Sequence, residues 1–367
     1  MNWPEWVSSQ NDATRAEGRW RAIRDLDLKG PNGTLGTDSV VSFASNDYLG
    51  LTAHPEVIEG ARQALDRWGA GSGSARLIVG SRPVHSQLEL ALAQWKGTEA
   101  ALLFPNGFAA NTGVLAALGG DDVTIFSDER NHASIIDGCR MASASVEIFG
   151  HLDYDALDQR LARTERSIVV TDTVFSMDGD VADVSRLAQL CRSHGALRIV
   201  DEAHAVSGPH IDLDGVNVVR VGTLSKFLGA MGGFVAGDRE LIELLINQAR
   251  PFIFTTACSP ADAGAALAAV NLFRSEEGEE LRTRLRTLVE LIAPGHPSPI
   301  VPFVIGDEDE AMKASATLLE RGMFVPAIRP PSVAPGTSRL RVALSAAHTD
   351  EQVMSLRTAL EEVVGLA

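Results

Sequence analysis

The sequence predicts an α/β fold built on a mostly parallel sheet, on three observations. From about Glu56 onward, short apolar runs alternate with helix-like segments. The runs are continuous in Val, Ile and Leu rather than alternating with polar residues, the mark of strands buried on both faces. Chemically varied polar residues directly follow the runs, where an open α/β sheet gathers its ligands.

The expected strands are AALLF (100–104), DVTIFS (122–127), SIVVTD (167–172), LRIVD (197–201), VNVVRVG (216–222) and GGFVAG (232–237). Between them, VHSQLELALAQWKG (84–97) reads as an amphipathic helix with Leu88, Leu92 and Trp95 on one face. VSRLAQLCRSHG (184–195) reads as a helix closed by a cationic last turn and a glycine. After RSEEGEE (274–280) the character changes to helix, Pro-rich stretch, helix, strand and a last helix opened by the capping box Thr349-Asp350-Glu351-Gln352. The first forty-odd residues carry Arg15, Arg19, Arg21 and Arg24 and the turn KGPNGTLG, an arm with a helix and one strand. The expected division is an N-terminal arm (1–43), a large domain (44–274) and a small α+β C-terminal domain (275–367).

Composition narrows the function classes. The 367 residues carry 32 Lys+Arg against 48 Asp+Glu, a net charge of −16, which argues against nucleic acid or an anionic membrane as partner. Cys139, Cys191 and Cys258 lie far apart with no C-x-x-C spacing, so neither a disulfide nor a zinc site is expected. The N-terminus is broken by Pro4, Glu5 and Asp12 and has no signal-peptide core. The most apolar helical stretch, 261–273, falls short of the ~20 residues of a membrane span. A soluble, cytoplasmic protein is expected.

The residues after each strand carry the chemistry. Asn106-Gly107-Phe108 turns into a helix whose free N–H groups suit a phosphate, although any strand-to-helix turn uses glycine. His132 follows TIFS, where a solvated or capping histidine is, taken alone, the better reading than a functional one. VFSMDGD (174–180) brings Ser176, with Asp178, Asp180 and Asp183 also suiting an acidic helix start. Asp201, at the end of a buried run, needs a cation or several hydrogen bonds. Thr223-Leu224-Ser225-Lys226 brings an amine with few charged neighbours, hence an expected lowered pKa, followed by Gly229, Gly232 and Gly233. An unprotonated lysine forms Schiff bases with aldehydes. One small molecule asks for an amine, a carboxylate, an imidazole and a phosphate cradle together: pyridoxal 5′-phosphate. Lys226 meets its aldehyde, Asp201 its ring nitrogen, His132 its face and His204 its hydroxyl, with the small residues around Lys226 allowing close approach of backbone and ring.

An ordered set of motifs carries a resemblance: SFASNDYLGL (42–51), GSGSARLIVG (71–80), NGFAANTGV (106–114), NHASIIDG (131–138), VFSMDGD (174–180), IVDEAHAVSG (199–208) and GTLSKFLG (222–229). The sequence resembles the α-oxoamine synthases, fold-type I pyridoxal-phosphate enzymes, from about Val41 to His348. Through AIRPPSVAPGTSRLRVALSAAH (327–348) it resembles the 8-amino-7-oxononanoate synthases of biotin synthesis most. The resemblance implies a mostly parallel seven-stranded sheet flanked by helices, and a homodimer with sites at the interface. It implies Lys226 as the Schiff-base lysine and general base, Asp201 at the pyridine nitrogen and His132 stacked on the ring. Gly107, Phe108, Ser176, His204 and Thr223 become cofactor contacts. Asn46 and Arg341 hold the carboxylate of L-alanine, Ser332 lies near substrate, and Arg21, with Arg19 and Arg24 as alternatives, meets the pimeloyl-CoA or pimeloyl-acyl carrier protein. Three departures stand out: Asp172 where the family has Glu, a trimmed segment HAVSGPHIDLDGVN after His204, and SRPVH (81–85).

Two other α-oxoamine readings use glycine or serine with a different thioester. A non-catalytic pyridoxal-phosphate-binding protein is a third reading. DEAH (201–204) also occurs in helicases, but no G-x-x-x-x-G-K-[ST] loop is present.

Overall fold

A computed structural model describes residues 1–213 and 217–365. Its centre is a seven-stranded sheet of β1 (Ala100–Phe104), β2 (Thr124–Asp128), β3 (Ser145–Phe149), β4 (Ser167–Asp172), β5 (Leu197–Asp201), β6 (Val218–Thr223) and β7 (Gly233–Gly237). The spatial order is β1-β7-β6-β5-β4-β2-β3. β7 runs antiparallel to both β1 and β6, and the other pairs are parallel. The first residue of the expected strand 216–222, Val216, lies outside the described residues.

The continuous apolar runs are buried on both faces, as their composition requires. Along β4, Ile168 and Val170 pack with Ile135, Leu115 and Leu245 of one helical layer, and Val169 packs with Leu157, Leu161 and Leu187 of the other. The predicted helices form at Pro83–Lys96 and Val184–His194, the second ending on Gly195 at φ +65°. The helix Asp350–Val364 opens with the expected reciprocal bonds between Thr349 and Gln352.

Two small sheets flank this core. The segment before residue 43 holds the helix Trp3–Ala16 and three strands, Leu26–Lys29, Asn32–Leu35 and Asp38–Ser42, where one strand was expected. Asp38–Ser42 pairs in parallel with Met323–Phe324, so the arm shares a sheet with the C-terminal part. The Pro-rich stretch contains a strand, Ile300–Gly306, which pairs with Ser338–Ala343 and so fixes the strand that carries Arg341.

Candidate active site

Lys226 is placed by its neighbours. β6 ends at Thr223, and the chain turns through residues 224–232 before β7 returns antiparallel. Leu224, Phe227 and Leu228 are buried and anchor the turn on both sides of the lysine. Gly229 has φ +63°, and a Cβ there would lie 2.5 Å from the Thr52 nitrogen. That glycine therefore serves packing against the 51–52 backbone, where the sequence suggested approach to a ring. Gly233 does the same for the turn at Asn106, whose carbonyl carbon would lie 2.4 Å from an added Cβ.

Lys226, His132, Asp201, Gly107, Phe108, His204 and Thr223 all border one cavity of about 190 Å³. Lys226 Nζ lies 2.7 Å from His204 Nε2, and His204 Nδ1 lies 2.6 Å from the Tyr48 hydroxyl. Burial pushes the Lys226 pKa down, Arg341 adds to that, and Asp201 and Asp172 oppose it. The Asp201 carboxylate accepts from Asn111 Nδ2 at 2.6 Å and from the Ala203 N–H at 2.8 Å, the hydrogen bonds its strand-end position called for.

His132 is both the helix cap and a cavity group. It precedes Ala133–Met141, and its Nδ1 accepts from the Ser134 N–H. Asn111 Nδ2 donates to Ser134 Oγ at 2.9 Å, which leaves that hydroxyl's proton for His132 Nδ1 at 2.7 Å. Burial lowers the His132 pKa, Lys226 adds to this and Asp201 opposes it. The ring is thus neutral with its proton on Nε2, so it donates a hydrogen bond without being an imidazolium.

Asp172 also borders the cavity, but its Oδ2 accepts from the His132 N–H at 2.7 Å. Burial first, then the charge of Asp201, raises its pKa well above the ordinary carboxylate value. The two acids of VFSMDGD and the nearby Asp183 serve structure: Asp183 caps Val184–His194, Asp180 meets His151, and Asp178 bridges Arg130 and Arg339.

Apart from His132, the expected substrate residues do not border this cavity. Arg341 donates from Nη2 to Asn46 Oδ1 at 3.2 Å and from Nε to the Ser176 carbonyl, and Ser176, expected as a cofactor contact, does not line the cavity of Lys226. Ser332 borders a separate cavity of about 680 Å³ with Phe175, Met177 and Pro331. Arg19 and Arg21 line an outer groove that shares Pro331 with it, and Arg24 is exposed. Within one chain, none of these arginines borders the cavity of Lys226. Asn111, Ser134 and Tyr48 were quoted within motifs but given no role; Asn111 had a signal, lying one helical turn beyond Gly107.

The donor set suits pyridoxal 5′-phosphate. It combines a depressed lysine, a hydrogen-bonded carboxylate and the first-turn N–H groups of Gly107–Leu118. The Thr223 and Ser225 hydroxyls border the same cavity. Asn111 Oδ1 is buried with no protein partner, an acceptor left for what enters.

The family model described as aminotransferase class I and II matches residues 38–360. The chain belongs to that family. A protein described as 8-amino-7-oxononanoate synthase from Anaeromyxobacter dehalogenans (strain 2CP-1) is 47% identical, covering 98% of this chain and 96% of the relative. A solved SPT structure with PLP superposes at TM-score 0.91 and 27% identity, covering 98% of each chain. An 8-amino-7-oxononanoate synthase from Francisella tularensis gives TM-score 0.74 and 25% identity over 89% of this chain and 97% of its own. The α-oxoamine resemblance and its 8-amino-7-oxononanoate branch are thus borne out at the level of the whole chain. Among the described residues no helix is long and apolar enough to cross a membrane, and no cluster of three or more His, Cys, Asp or Glu could hold a metal ion.

Proposed function

We propose that this protein condenses L-alanine with a pimeloyl thioester, releasing carbon dioxide and the free thiol and giving 8-amino-7-oxononanoate for biotin synthesis. The observation that carries the reading is 47% identity to an 8-amino-7-oxononanoate synthase across nearly the whole of both chains. When bound, pyridoxal 5′-phosphate supplies an aldehyde for amines and a protonated ring that draws electrons from the α-carbon. Lys226 holds it, and Asp201, steadied by Asn111 and Ala203, keeps the proton on the ring nitrogen. Gly107, Phe108, Thr223 and Ser176 complete the cofactor contacts.

Arg341 and Asn46 hold the alanine carboxylate through charge-assisted hydrogen bonds. Lys226 Nζ, kept basic but not permanently charged by burial, takes the α-proton. His132 Nε2–H donates to the developing oxyanion of the thioester carbonyl. The chain of the acyl substrate runs past Ser332 toward Arg21 or Arg19. The working unit is a cytoplasmic homodimer, and the arginine at a given site comes from either subunit.

A second reading, serine with a long-chain thioester, draws on the SPT superposition. Thiol release measured for alanine, glycine and serine against pimeloyl-CoA, pimeloyl-acyl carrier protein and palmitoyl-CoA separates them. Preferential turnover of L-alanine with a pimeloyl thioester is expected. Preferential turnover of serine with palmitoyl-CoA overturns the assignment.

A further inference from the structure

Arg341 and Lys226 are joined through Asn46, Tyr48 and His204 by a chain of hydrogen bonds whose direction chemistry fixes. Arg341 Nη2 contacts Asn46 at 3.2 Å, and a guanidinium only donates, so Asn46 must present Oδ1 there. That oxygen only accepts, so the Tyr48 hydroxyl, 3.0 Å away, gives its single proton to it. The Tyr48 oxygen is then an acceptor toward His204 Nδ1 at 2.6 Å, and His204 carries its proton on Nδ1. His204 is fully enclosed, and burial, with Lys226, Arg341 and His132 adding, drives its pKa well below the ordinary histidine value. Burial likewise pushes Tyr48 up to about 12, so the hydroxyl keeps its proton. A neutral ring protonated on Nδ1 leaves a bare lone pair on Nε2, 2.7 Å from Lys226 Nζ.

We infer that Tyr48 is a positioning residue that sets the tautomer of His204, so that Nε2 is an acceptor toward the Lys226 amine. The signal originates at Arg341 and passes through Asn46 and Tyr48. Loss of Tyr48 removes the acceptor for Nδ1–H, and the ring is free to turn Nε2 into a donor. This role of Tyr48 in preparing the lysine is the same whichever amino acid and thioester the chain uses.

The test is ¹⁵N NMR of histidine-labelled full-length protein, with and without pyridoxal 5′-phosphate, the His204 signal being assigned by its loss in His204→Gln. The expected parent spectrum has His204 neutral and protonated on Nδ1 from pH 6 to 8. Tyr48→Phe is expected to move the proton wholly or partly to Nε2, whatever its activity. Should Tyr48→Phe fail to fold, Asn46→Ala reads the same relay and is expected to give mixed tautomers. An Nε2-protonated His204 in the parent overturns the inference, as does an unchanged Nδ1 tautomer in either folded variant.

Discussion

Asn111→Ala tests how Asp201 is held. Asn111 Nδ2 gives Asp201 a hydrogen bond of 2.6 Å in a buried setting. A hydrogen bond to a charged group contributes about 1.5–3 kcal/mol. At about 1.4 kcal/mol per decade, loss of that support weakens cofactor affinity roughly 10- to 150-fold. Stability follows a different course. The same change removes Asn111 Oδ1, a buried oxygen without a partner, and so relieves a desolvation cost of about 1–3 kcal/mol. The variant is therefore expected to keep parental stability within about 1 kcal/mol in urea unfolding of the cofactor-free chain. The assay is equilibrium dialysis of pyridoxal 5′-phosphate against folded Asn111→Ala and parent. Equal affinities with intact stability would refute the role given to Asn111.

Three further outcomes are expected. Glu202→Gln strips the carboxylate that Lys96 and Arg220 share in the core, at 3.2 and 2.6 Å, and urea unfolding should register a loss of about 3–5 kcal/mol. Burial lowers the His151 pKa, but the hydrogen bonds to Asp128 and Asp180 and the charges of both together outweigh it and raise the pKa to about 9. A raised pKa stabilises fully below the unfolded value near 6.5 and fades as pH climbs through about 9. His151→Gln should therefore be less stable than the parent at pH 6, with the gap closing by pH 10 in thermal melts. Arg341→Lys loses the fork, and KM for L-alanine should rise about tenfold or more.

What the sequence revealed depended on whether a feature was local. β4 and β5 were legible because both of their faces are buried, so composition alone marks them. β3 was missed because SVEIF is an edge strand with only Phe149 buried. Ile300–Gly306 hid behind Pro302, which an edge strand of its small sheet accommodates. The lysine, carboxylate and imidazole could be found because each lies at or a few residues past the end of a strand. Asn111 and Tyr48 act through partners 90 and 156 residues away, a pairing that only the folded chain reveals. The neutral donor state of His132 likewise depends on Asn111 and Ser134, so sequence offered only the imidazole.

That Lys226 bonds the cofactor is directly testable because lysine is scarce in this chain. The chain has four lysines, Lys29, Lys96, Lys226 and Lys313. Lys96 is the instructive competitor, since burial also lowers its pKa, to about 8, but Glu202 occupies its ammonium. Borohydride reduction of the cofactor-loaded protein, followed by digestion and mass spectrometry, locates the pyridoxyl group. The expectation is that it sits on Lys226, with the label lost in Lys226→Ala. A pyridoxyl group on Lys96, or persistent labelling of Lys226→Ala at any other lysine in the same yield, would contradict it.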